Sequence, residues 1–223
     1  MKIKRTSVLS LNQNLLHPFV RFHIIDLQTF RFLEKEAARK AGSVANREYA
    51  GITSTSEEKR IVRPINCDFL PPMATSFCDM RLSTDNWASW NEEFQIHENL
   101  DCLFKPKTLI LFELLDFNIS YLAKDAKKDN PLVKGTGSPN KGWDNLYRIA
   151  WGYLRPVGIS AIHTGPVRIQ LYKYKHKGPR PDNLDERTPQ VLLDFNWFNH
   201  TQYPGFLEIE LNFKDLPEEY IVL

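Results

Sequence analysis

Between Phe206 and Phe213 the chain reads Phe-Leu-Glu-Ile-Glu-Leu-Asn-Phe, setting Leu207, Ile209, Leu211 and Phe213 against Glu208, Glu210 and Asn212. A period of two places these sets on opposite faces of an extended strand, a separation that a helix cannot produce. The same alternation recurs along the chain. Val20, Phe22 and Ile24 alternate with Phe19, Arg21, His23 and Ile25, and Phe30 to Leu33 follows across a turn-like Asp26-Leu-Gln-Thr29, which predicts a hairpin. Trp90, Glu92, Phe94 and Ile96 share a side, as do Tyr147, Ile149, Trp151 and Tyr153. Val167–Tyr172 and Val191–Trp197 read as further strands, and a strand over 61–70 is demoted to an edge by Pro64. Thr108 to Phe117, TLILFELLDF, is apolar on both faces, as a central strand requires.

These segments, with almost no helical periodicity among them, predict an all-β fold: an antiparallel two-sheet sandwich of about eight strands. Two polar stretches interrupt it. Residues 34–59 are rich in Ala, Ser, Gly and charge, and residues 124–143 carry Lys, Asp, Gly and Pro; both read as insertions in a single domain spanning 1–223. Aromatic residues make up 12% of the chain, favouring pleated, half-buried surfaces over long helices. Phe22, Trp90, Phe94, Phe112, Trp151, Phe195 and Phe213 fall at alternating strand positions, so most aromatics are expected in the core.

Charge excludes one class of partner. With 29 Lys and Arg against 27 Asp and Glu, the net charge of +2 gives no field suited to nucleic acid. No apolar run approaches the length of a membrane span, and Asn12, Gln13 and Asn14 interrupt any signal-peptide core. Cys67, Cys78 and Cys102 form neither a disulfide framework nor a metal-binding spacing, which fits free thiols in a reducing compartment. The sequons at Asn118 and Asn199 are then chance matches. The expectation is a soluble cytoplasmic protein.

Chemistry-bearing patterns are scarce. Gly135 to Gly142 imitates a phosphate-binding loop, but Trp143 stands where such a loop needs Lys, and no βαβ unit surrounds it. The six histidines (His17, His23, His97, His163, His176 and His200) include no pair at the helical spacing of a zinc site. No nucleophile elbow is present. No enzyme, metal or cofactor is expected. What remains is a basic run, Lys173, Lys175 and Lys177 followed by Arg180, the three lysines sharing a face if the strand continues. It is a candidate for weak contact with an anionic membrane or an acidic partner. Trp143, Trp197 and Tyr203, near predicted loops or strand ends, are candidate interface aromatics. The acids Glu208, Glu210, Asp215, Glu218 and Glu219 read as a solvated face.

Three landmarks resemble a C2 domain: His17-Pro-Phe-Val-Arg-Phe-His23, Trp90-Asn-Glu-Glu-Phe94, and Leu111 to Asn118, in the family's order. More narrowly, HPFVRFHIID, Asp116-Phe117, Tyr147–Leu154, Val167–Tyr172 and Tyr203–Glu210 are similar to the C2-like region of the jouberin family of ciliary transition-zone scaffolds; nephrocystin-4 carries a more distant version. The resemblance implies a scaffolding module with protein partners in a ciliary, basal-body or microtubule-associated assembly. It also implies calcium independence. A calcium ion wants about 6 to 8 oxygen ligands. Of the loop positions that supply carboxylates in calcium-binding C2 domains, one is His17 here, one is Asp116 and the next is Asn118.

Overall fold

The computed structural model describes residues 1–7, 9, 15–35, 68–82, 87–96, 98, 100–105, 107–117, 146–158, 162–176, 181–195 and 200–213. Residues 36–59 of the first insertion and all of the second lie outside these residues, as do the glycine-rich stretch and residues 61–67 of the strand expected over 61–70.

The described strands are β1 (Lys2–Thr6), β2 (Phe19–Asp26), β3 (Arg31–Phe32), β4 (Met73–Ala74), β5 (Ser89–Glu93), β6 (Thr108–Phe117), β7 (Leu146–Leu154), β8 (Gly165–Tyr172) and β9 (Gln202–Leu211). They join in one antiparallel sheet with the order β3-β2-β6-β7-β8-β9-β1-β5, and β4 pairs with the start of β2. The all-β, antiparallel expectation holds. β6 has the bounds its sequence implies and is buried on both faces. It pairs with β2 along eight positions, from Phe19↔Leu115 to Asp26↔Thr108.

The sheet is curled. Ile3, Val20, Phe22, Ile110, Phe112, Leu114, Leu207 and Ile209 belong to one main core, so the β2-β6-β7 half faces the β8-β9-β1 half. The change of direction comes where β7 meets β8 through only two residue pairs, Trp151↔Tyr172 and Gly152↔Leu171. A Cβ on Gly152 would stand 2.9 Å from Ile169 Cγ2 and 3.0 Å from the Gln170 carbonyl oxygen. Glycine is what lets the strands cross this closely.

The other face of β2, β6 and β7 carries a second core of Ile25, Phe32, Leu109, Leu111, Trp151, Tyr174 and Val191. Residues 181–195 run over it. The Phe32 amide donates to the Arg187 carbonyl at 2.9 Å, and Arg31 pairs with Asp185 at 2.6 Å.

Two expectations need correction, and two strands were not foreseen. Val191–Trp197 is not a strand: Gln190–Leu193 is a 3-10 turn led by Pro189, and residues 196–199 lie outside the described set. Its apolar run serves a turn because the Asp194 carboxylate folds inward to accept the Lys175 and His176 amides. Phe195 therefore joins the second core from beyond a turn. Ile149 and Trp151 do not share a face, since the β6–β7 register shifts between Leu114 and Leu115 and sends Ile149 to the main core and Trp151 to the second. β1 was not foreseen, because three of its five residues are basic and only Ile3 and Thr6 are buried. β4 is too short to show a period.

Candidate functional site

The loop positions that suggested a degenerate calcium site have a different occupation. Asp116 ends β6 with its carboxylate buried, and it accepts the backbone amides of Leu16 at 2.8 Å, His17 at 3.0 Å and Phe117 at 2.7 Å. These bonds tie the chain entering β2 to the end of β6 and leave the carboxylate engaged in backbone. Asn118 lies outside the described residues. Among the described residues, no group of three or more His, Cys, Asp or Glu is placed to hold a metal. Cys78 is a free, half-buried thiol.

Past β8 the chain leaves the sheet but keeps alternating: Lys173, Lys175 and His176 are exposed and Tyr174 is buried. Asp194 anchors the turn by accepting the Lys175 amide at 2.7 Å and the His176 amide at 2.9 Å. Lys177 and Arg180 fall outside the described residues, so only half of the basic run is placed. Of the three interface aromatics, Trp143 and Trp197 also fall outside, and Tyr203 is 3% exposed in the main core, closed to a partner.

Two charge clusters were not visible in the sequence. One lies under the second core. Arg21 and Glu113 are register partners on β2 and β6, and His23 projects from the same face of β2. Glu113 is 1% exposed. Its Oε2 accepts Arg21 Nη2 at 2.7 Å and pairs with His23 Nε2 at 2.6 Å, while its Oε1 accepts the Tyr174 hydroxyl at 3.0 Å. Burial pushes the Glu113 carboxyl up, but the Arg21 charge and the His23 hydrogen bond outweigh it and hold the group far below the usual carboxylate range. Burial lowers the basicity of His23, and its Nδ1 is enclosed without a partner, the arrangement of a neutral ring that donates through Nε2.

The other cluster lies on the outer face of the β8-β9-β1 half. Arg5 and Arg168 are both register partners of Glu208, one from β1 and one from β8. Arg5 Nε donates to Glu208 Oε2 at 2.6 Å, and Arg168 Nε donates to Oε1 at 3.2 Å. Each guanidinium also lies over a ring, Arg5 over Trp87 at 4.7 Å and Arg168 over Phe206 at 4.9 Å. Lys4 pairs with Glu210 at 2.6 Å one step along the strand. The hydrogen bond from Arg5 lowers the Glu208 carboxyl, and that from Lys4 lowers Glu210. The β9 acids expected to form a solvated face are thus neutralised by cations from both neighbouring strands. Asp215, Glu218 and Glu219 are outside the described residues.

No helix among the described residues is long and apolar enough to cross a membrane. No protein-family model matches the chain. Over 226 aligned residues it is 25% identical to jouberin from Rattus norvegicus, and to the same extent to jouberin from Mus musculus. Each alignment covers 97% of the chain but only 18% of the relative, so the chain spans less than a fifth of the proteins it resembles. Nearly all of this β-rich chain is thus related, at low identity, to one region of jouberin.

Proposed function

We propose that residues 1–223 form a single C2-like β-sandwich domain acting as a non-catalytic, calcium-independent protein-interaction and scaffolding module of the cilium, basal body or transition zone. The observation that carries this is the similarity to jouberin along 97% of the chain. The curled sheet supports the sandwich: its halves face each other across the main core and touch edge to edge at only two residue pairs. Calcium independence is supported by Asp116, whose carboxylate is buried and spent on three backbone amides. Proximity labelling with the tagged chain in ciliated cells tests the location and the partners. Enrichment of transition-zone or basal-body proteins is expected; a labelled set without ciliary proteins would sink the proposal. Calcium titration calorimetry should give a flat trace, and a micromolar isotherm would remove calcium independence.

Lys173 and Lys175, both exposed beyond β8, favour a second reading as a calcium-independent binder of anionic phospholipid. Each Lys near an anionic surface contributes about 1 kcal/mol, so contact through these residues is weak and salt-sensitive. Co-sedimentation with phosphatidylserine vesicles that disappears in Lys173→Glu/Lys175→Glu would support it. No binding at low salt would end it.

A further inference from the structure

The Arg5–Glu208–Arg168 row differs from an ordinary surface ion pair in how its cations are held. Each guanidinium uses Nε on the shared carboxylate and rests on an aromatic ring. Among the described residues, the Nη amines of both make no hydrogen bond to protein. The Arg168 side chain is 72% exposed although fixed at two points. The result is a pair of donor forks held in place before any ligand arrives, the preorganisation that lowers the entropic cost of binding. Two guanidiniums against one carboxylate leave the row positive. The Lys4–Glu210 pair beside it is neutral, and a shallow recess of about 360 Å3 opens between Lys4, Pro166, Val167, Arg168, Glu208 and Ile209.

We propose that this row is a docking site for an acidic, extended segment of a partner protein. Free guanidinium forks match carboxylates two bonds at a time, whereas a diffuse anionic surface is met as well by flexible lysines. β1 and β8 lie two ladder spacings apart, about 10 Å, which an extended chain covers in about three residues. The favoured segment therefore lies across the strands as a polyproline II chain, whose three-residue turn keeps Asp or Glu three residues apart on one side, each acid on one fork. This rests on the protein-interaction function proposed above and names the partner's chemistry.

The test uses the full chain and a fluorescent peptide with Glu at every third position among Gly and Ser, its Gln counterpart, and phosphatidylserine vesicles. Salt-sensitive anisotropy binding of the Glu peptide alone is expected. Arg5→Lys/Arg168→Lys, which keeps the charge and loses the forks, should weaken it about ten- to hundredfold. Lys107→Ala, at an exposed lysine outside the row, should leave it unchanged. Equal binding of the Gln peptide, equal binding by the Lys variant, or vesicle binding without peptide binding would each overturn the proposal. Arg5→Ala/Arg168→Ala, checked for folding by circular dichroism, should bind more weakly still. If the peptide fails while the wild-type chain still labels ciliary partners, the docking site falls and the scaffolding function stands; if no ciliary protein is labelled, that function falls whatever the peptide does.

Discussion

Glu113 and Glu208 have the same local arrangement in opposite settings. Each carboxylate is held by two basic side chains, Arg21 and His23 for Glu113, Arg5 and Arg168 for Glu208. Glu113 sits on a central strand beneath a covering segment and also takes the Tyr174 hydroxyl. Glu208 sits on an outer face, and its cations lean on Trp87 and Phe206. Burial decides what each can do. In the first, the polar groups are turned inward and serve to register β2 and β6 beneath Tyr174 and residues 181–195. In the second, water supports the charges and the guanidiniums keep donors to spare.

The largest test of this contrast is Glu113→Gln. It strands the Arg21 charge in a nearly closed site, and urea denaturation should register a loss of about 3–5 kcal/mol. A loss below 1 kcal/mol would mean the cluster is as solvated as the surface row. Tyr174→Phe removes one hydrogen bond to an ionised, buried carboxylate and should cost about 1.5–3 kcal/mol in the same assay.

Acid should separate the clusters next. Because burial lowers His23 below its ordinary value of 6.5, the unfolded chain binds the proton first as the pH falls. Stability is therefore complete above that pH and declines below it, by up to about 1.4 kcal/mol per pH unit. Glu113, lowered from 4.5, adds a second loss at more acid pH. Thermal melts of His23→Leu should lack the first decline and keep the second; an unchanged profile would place the acid response elsewhere. The smallest effect is expected for Glu208→Gln, about 1 kcal/mol or less and shrinking with added salt. A larger, salt-insensitive loss would make the outer row part of the core architecture.

Legibility in the sequence followed the range of the interaction. β6 and β9 were readable because strand alternation is local: Leu207, Ile209 and Leu211 are buried, as their spacing implies. β1 was not, since it earns its strand by pairing Ile3 with Ile209 on one side and Glu92 on the other. The β7 bulge hid because one extra residue, Ile149, changes the face without changing the composition. The basic run at Lys173 was found as a sequence cluster, whereas Arg5 and Glu208 stand 203 residues apart and share no window. The one early sign was the basic start, Lys2, Lys4 and Arg5.

By itself, the sequence determined the all-β class, the central strand and the inward set of β9, because side-chain direction along a strand depends only on position in the chain. Only the tertiary structure decided which charges meet. It buried Glu113 with Arg21 and His23, neutralised the β9 acids with cations from β1 and β8, and sent Tyr203 into the core. Strand order sets those neighbours, and strand order is fixed by backbone pairing between segments far apart in the chain, which no local period records.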